Sequence, residues 1–205
     1  MERLRTSKYG KFSYGPLRFL LRSPLAAVLS HWTFQSLFYM GLAERVFKLG
    51  LDIIVTGLVS SLLNAWLTWH VALILGFLAA HTLNFLFNGH LWGVLKNYGY
   101  VHTAYNNYNR YMEKLAGRAN RVAAIERLVV VGSLAKHEWT PQSDLDARIL
   151  YKPGALNSLR VCLFLVGERT HALLSRFPLD IYAMDHEKSF RKTLGEKQGI
   201  DLLKQ

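Results

Sequence analysis

Asp144 and Asp146, one leucine apart in Asp144-Leu145-Asp146-Ala147-Arg148-Ile149-Leu150, have the spacing in this chain best suited to chemistry. The segment reads as a strand. Successive strand side chains point to opposite faces, so Asp144, Asp146 and Arg148 share one face while Leu145, Ala147 and Ile149 turn to the core. Two carboxylates held side by side repel, and each raises the other's pKa unless a cation sits between them. Hard oxygen ligands at this spacing suit Mg²⁺. Arg148 offers a plainer alternative, an ordinary salt bridge to Asp146. Upstream, Val129-Val130-Val131-Gly132-Ser133 reads as a strand running into a turn. A glycine there lets the backbone approach phosphate oxygens, to which the following N–H groups and the Ser133 hydroxyl can donate. Pro178-Leu179-Asp180-Ile181-Tyr182-Ala183-Met184 reads as another strand, with Asp180, Tyr182 and Met184 on one face. Asp180 is therefore a candidate third carboxylate in the same cleft.

At these residues the chain resembles the nucleotidyltransferase superfamily of the DNA polymerase beta type, and especially its minimal nucleotidyltransferases. Their pattern is a hydrophobic residue, Gly-Ser, about ten residues, then Ser-Asp-hydrophobic-Asp-hydrophobic. Val131-Gly132-Ser133-Leu134-Ala135-Lys136-His137-Glu138-Trp139-Thr140-Pro141-Gln142-Ser143-Asp144-Leu145-Asp146 follows it closely. Lys136-His137 stands where many members have Arg-Gly, which keeps a cation and removes a flexible glycine. The resemblance runs from about Glu113 to Met184.

The resemblance implies transfer of a nucleoside monophosphate from a nucleoside triphosphate to an acceptor hydroxyl, with two Mg²⁺ ions and release of pyrophosphate. On that reading Asp144 and Asp146 hold the metals. Asp180 shares one and helps deprotonate the acceptor, and Gly132 and Ser133 position the terminal phosphates, with Lys136 and Ser143 beside the nucleotide. The competing class is a nucleotide-sensing or scaffolding subunit of a membrane complex that keeps the fold without turnover. His137 in place of glycine and Arg148 beside Asp146 keep it open.

The elements that must carry this site are unusual for a soluble enzyme. The 205 residues are 51% hydrophobic, and 25 Lys and Arg against 14 Asp and Glu give a net charge of +11. Six of those cations and a single acid fall within residues 1–22. Such a balance suits an anionic membrane surface or a polyanion. The cluster adjoins apolar sequence, and helix-turn-helix or zinc-finger spacing is missing, so a membrane is favoured over nucleic acid. The eight histidines and single Cys162 match no zinc-site spacing, and Cys162, among leucines and valines, reads as a buried thiol.

Residues 1–48 read as a basic, interfacial N-terminal segment without the layout of a signal peptide, expected to remain in the mature protein. Within it, Pro24 to Ala43 is uncharged but interrupted by polar residues. A helix lying in the membrane interface is expected there, with Trp32, Phe34, Phe38 and Tyr39 as anchors. Ile53 to Leu95 is a run of 43 residues without Asp, Glu, Lys or Arg. As helix it would measure about 65 Å, twice the hydrocarbon thickness of a bilayer. Residues 49–96 are thus a two-helix transmembrane hairpin, with spans expected at about Leu51 to Trp69 and Val71 to Leu95. Arg45, Lys48 and Lys96 flank the pair on one side, which puts the N-terminus and the head on the cytosolic face. Thr56, Ser60, Asn64 and Thr68, and then His81, Asn84 and Asn88, form polar stripes that read as glue between helices or as a head-group site, with His81 a satisfied packing residue and Asn88-Gly89-His90 the part nearest a substrate.

Residues 97–125 form an amphipathic connector whose Tyr105, Tyr108, Tyr111, Leu115, Ala119 and Val122 recur at helical spacing, with a possible break at Gly117. Its tyrosines read as an interfacial belt or, alternatively, as a platform for a base. Residues 126–205 are the nucleotidyltransferase domain. The expected fold class is α+β: a small mixed-sheet nucleotidyltransferase head behind a helical membrane hairpin. Expected partners are a nucleoside triphosphate, membrane lipids and a membrane-proximal acceptor or partner membrane protein.

Overall fold

The computed structural model describes residues 24–35, 40–88, 91–194 and 199–203. The basic segment before Pro24, Phe38, Tyr39 and the Gly89-His90 pair lie outside them. The described residues form an α+β structure with a four-stranded mixed sheet and seven α-helices.

The sheet comprises β1 (Ile125–Val131), β2 (Leu145–Tyr151), β3 (Leu179–Met184) and β4 (Ile200–Asp201), in the order β3-β2-β1-β4. β1 is antiparallel to β2 and β4, while β2 and β3 run parallel. Alternation decides what each face does. Leu145, Ala147 and Ile149 join Leu179, Ile181 and Ala183 in one core, against helices α5 (Tyr105–Ala119) and α6 (Ala155–Leu174). The opposite residues of the same strands, Leu150, Tyr182 and Met184, pack with Val129, Val131, Met40 and Phe190 of helix α7 (Glu187–Leu194) in a second, smaller core. The polar ends of that second face are left for Asp146, Arg148 and Asp180.

The connector helix is continuous through Gly117, and its apolar face packs into the head. Tyr108, Tyr111, Leu115 and Ala119 are buried, and the Tyr111 ring stacks on Phe177 at 4.0 Å. Burial pushes the Tyr108 phenol up to about 12. Two of the tyrosines offered as a belt or a base platform are therefore core residues; Tyr100 and Tyr105 are exposed.

Two helices, α2 (Leu42–Leu63) and α3 (Trp69–Asn88), are long and apolar enough to cross a membrane. Both depart from the expected spans. The first begins nine residues before Leu51 and includes Glu44, Lys48 and Asp52, all buried. These charges turn inward while Leu42, Val46, Leu49, Ile53 and Leu58 are exposed. The second ends at Asn88, and the apolar sequence beyond it supplies a separate short helix, α4 (Leu91–Leu95), followed by a 3₁₀ turn at Lys96–Tyr98. Gly76 sets the contact between α2 and α3: a Cβ there would stand 2.2 Å from Ser60 Oγ and 3.0 Å from the Thr56 carbonyl. Small residues allow such close backbone approach between helices.

Buried polar side chains join hairpin to head. Arg169 of α6 donates to Glu44 Oε1 at 2.5 Å, to Asn88 Oδ1 at 2.6 Å and to the Ile181 carbonyl at 2.5 Å. Lys48 donates to the carbonyls of Asn88 and Gln35. Asn84 bridges Asp52 and the Lys48 carbonyl, and His81 lies between Asp52 and the Trp32 carbonyl. His81 is thus a satisfied packing residue, and the stripe of His81, Asn84 and Asn88 ties helices together, whereas the Thr56 and Ser60 hydroxyls of the other stripe are buried without a hydrogen-bond partner among the described residues. Helix α1 (Pro24–Phe34) is 11 residues long, about 16 Å, too short to span a bilayer, and Trp32 docks it on the hairpin through Thr82.

Candidate metal and nucleotide site

Strand register brings the three aspartates together. Asp146 is paired across the sheet with Val131 on one side and with Asp180 on the other, and Asp144 stands just before β2 begins. Ligand oxygens of Asp144, Asp146 and Asp180 all lie within 4.8 Å of one another. Gly132, immediately after Val131, adopts φ +83°, and a Cβ there would meet Asp146 Oδ2 at 2.5 Å. Only glycine permits both that backbone angle and that approach.

Asp146 is the electrostatic centre. Its carboxyl is buried, and Oδ1 has no hydrogen-bond partner. Burial, then the charges of Asp144 and Asp180, push its pKa up to about 8 against the opposing pull of Arg148. Among the described residues, two cations share the cluster. Lys96 Nζ lies 2.5 Å from Asp144 Oδ2, and the Arg148 guanidinium lies 3.6 Å from Asp180 and 3.9 Å from Asp146. Arg148 is also committed elsewhere: it donates to the carbonyls of Ala147 and Asp180 and covers the Tyr182 ring at 4.9 Å. The rival salt bridge is therefore present but long, and Asp146 remains undercompensated.

The residues fit a hard divalent cation on three counts: an all-carboxylate donor set, a shared 4.8 Å volume and a buried orphan oxygen on Asp146.

The turn after β1 is closed by its own backbone. The amides of Lys136, His137 and Glu138 bond back to the carbonyls of Gly132, Leu134 and Ser133. His137 takes φ +56°, the left-handed conformation that glycine would supply at lower cost. Ser133 Oγ donates to Ser143 Oγ at 2.9 Å, and the Thr140 amide donates to the same oxygen at 3.0 Å. Tyr108 donates its hydroxyl proton to the Ser143 carbonyl, fixing the start of β2 from the connector helix. Gly132, Ser133 and Ser143 are thus gathered beside the aspartates. Lys136 is exposed on the turn, and among the described residues it is Lys96 that touches a carboxylate of the cluster.

From the sequence alone, Lys96 reads only as a flank of the hairpin. Its one signal was position, the first cation after the long uncharged run. His31 of α1 was missed as well. Burial lowers its pKa and the Asp180 charge opposes that shift, which puts α1 within the field of the cluster. Nothing in the local sequence of α1 announces this. No family model, curated protein or solved structure matches the chain.

Proposed function

We propose that the chain is a membrane-anchored, Mg²⁺-dependent nucleotidyltransferase. It would transfer a nucleoside monophosphate from a nucleoside triphosphate to a hydroxyl acceptor at the cytosolic membrane surface, with release of pyrophosphate. The observation that carries the reading is the convergence of Asp144, Asp146 and Asp180 against the close-approach glycine, Gly132. Two Mg²⁺ ions held by these carboxylates would supply charge stabilisation for the phosphoryl oxygens. Gly132 lets the turn come close to the terminal phosphates, and Ser133 and Ser143 offer hydroxyls beside them. Asp180 takes the acceptor proton as the acceptor oxygen bonds to the α-phosphorus and the bond to the pyrophosphate oxygen breaks. Lys96 offsets the Asp144 charge before substrate arrives and would turn to phosphate oxygens afterwards, while Arg148 stays beside Asp180, held by the Ala147 and Asp180 carbonyls.

The membrane part of the reading rests on the two long apolar helices and on buried bonds that tie their base to α6 and β3. Anchoring confines enzyme and acceptor to one surface and raises their effective concentration. It favours a lipid-linked sugar, a lipid head group or a hydroxyl on a partner membrane protein as acceptor.

A second reading has its own support. Lys96 and Arg148 already occupy the acidic cluster, as expected of a nucleotide-sensing or scaffolding subunit without turnover. Pyrophosphate release separates the two. Protein in native membrane vesicles is given each ribonucleoside triphosphate with Mg²⁺, beside an Asp144→Ala/Asp146→Ala double variant. Variant-sensitive release, with α-phosphate label entering a membrane-extractable product, supports the transferase. Triphosphate binding with no release supports the sensor.

A further inference from the structure

Helix α6 is apolar on two faces, and the head uses one of them. Val161, Leu165 and Ala172 are buried in the main core. Leu156, Leu159, Leu163 and Leu174 are exposed, the least of them at 46%. At 3.6 residues per turn these four leucines fall within an arc of about 60°. That is a stripe, not a scatter of surface leucines.

The stripe lies beside the hairpin. On the neighbouring arc of α6, Arg169 binds Glu44 and Asn88 and the Leu173 carbonyl accepts from Trp92 Nε1 at 2.8 Å, and Thr170, within the arc of the leucines, donates to the Phe87 carbonyl at 3.2 Å. Leu83 and Phe87 of α3 are themselves exposed. The leucines of α6 therefore continue the apolar coat of α3 onto the head.

Charge around the stripe has one sign. Between Lys152 and Arg176 the single carboxylate is Glu168, which is buried and held by Arg118 at 2.5 Å. Lys152, Arg160 and Arg176 are exposed. A leucine face bordered by cations is the composition of a helix lying at an anionic lipid surface. A second copy of this face would set cation against cation across a two-fold axis. The stripe also lacks the tryptophan, tyrosine and arginine anchors that concentrate binding energy at protein interfaces.

We propose that α6 is a membrane-contact helix. Its leucine stripe lies in the interfacial layer of the bilayer that the hairpin enters, with Lys152, Arg160 and Arg176 against anionic lipid phosphates. The head is docked flat beside the hairpin, not carried on a free stalk. α6 leads through Phe177 and Pro178 into the strand of Asp180, so its depth in the interface sets the height of the acidic cleft above the lipid. The proposal rests on the membrane part of the reading above and is independent of catalysis.

The test uses the full chain with Cys162→Ala and one new cysteine at a time: Leu159→Cys, Leu163→Cys, Ile74→Cys on the exposed face of α3, or Lys188→Cys on α7. Each carries an environment-sensitive fluorophore in vesicles of phosphatidylcholine and phosphatidylglycerol with nitroxide-labelled lipid. Loss of emission at positions 159 and 163, comparable to that at 74 and absent at 188, is the expected result. Quenching at 74 but not at 159 and 163 overturns the proposal and leaves the membrane hairpin standing. Unquenched labels at 159 that instead transfer energy between copies would assign the stripe to self-association and overturn it too. No quenching at 74 removes both the hairpin and the docked helix.

Discussion

Asp146 is held in a state that a lone protein would avoid, a carboxyl with a buried orphan oxygen, two acids beside it and a pKa pushed up to about 8. The unfolded value is about 3.9, so the folded state binds the extra proton between the two values. Stability from this group is therefore present below about pH 4 and falls as pH rises toward about 8. A bound cation needs the carboxylate, so binding expels that proton. Calorimetric titration of Mg²⁺ at pH 7 in buffers of different ionisation enthalpy should show proton release that disappears above about pH 9. Release that does not change with pH would mean Asp146 is not a ligand. Asp146→Asn should abolish nucleotidyl transfer yet raise the metal-free thermal midpoint at pH 8 by ~2–4 °C for each kcal/mol of relieved repulsion. A lowered midpoint would make Asp146 a structural residue. Gly132→Ala should cost about 1–2 kcal/mol from its left-handed backbone angle, and its methyl group would displace Asp146. Chemical unfolding beside a metal titration checks both effects. The alternation of Asp146 and Arg148 with Leu145 and Ala147 was legible because period two needs no tertiary information. The contacts of Lys96 with Asp144 and of α1 with the field of Asp180 were not, because they depend on how distant elements dock.

Elements show where reading by charge alone misleads. A charge-free run located the hairpin, but α2 begins at Leu42 because Glu44 and Lys48 are buried on its inner side, where Arg169 and the Asn88 carbonyl receive them. A window that counts charges sees ions and stops; the helix continues because its outer face stays apolar. The connector's helical period is legible for the opposite reason, since Tyr108, Tyr111, Leu115 and Ala119 all turn into one core and leave a clean amphipathic record. The Arg169–Glu44 pair spans 125 residues and joins the hairpin to the head at its most buried point. Arg169→Ala should destabilise the head by ~3–5 kcal/mol because it leaves Glu44 buried and uncompensated. The double replacement Glu44→Leu/Arg169→Met should recover most of that loss, since a buried pair and its apolar equivalent are often close in stability. Denaturation of the two variants in the same detergent decides it. Equal damage in both would mean that Arg169 acts through Asn88 and the Ile181 carbonyl instead.

At the scale of the molecule, a basic chain carries an acidic cleft next to the helices that would enter the bilayer. Net charge and the apolar helices both favour an anionic membrane, while the three aspartates ask for cations, so the two halves recruit opposite partners to one surface. Among the described residues, Leu58, Ile54 and Leu62 on α2, Trp66 in the turn and Ile74 on α3 are exposed, and large exposed apolar patches mark membrane or protein contact sites. Leu58→Arg tests which solvent this face meets. In a bilayer, arginine near the centre of a span costs about 2.5–3.5 kcal/mol of insertion free energy, whereas on a water-exposed helix face it is nearly neutral. The variant should therefore fall sharply in the carbonate-resistant membrane fraction, while Lys188→Ala, on the exposed side of α7, leaves the fraction unchanged. Full retention of Leu58→Arg in that fraction would mean that this face of α2 does not touch the hydrocarbon core. The hairpin would then be a protein-docking arm, and an acceptor confined to the lipid surface would lose its main support.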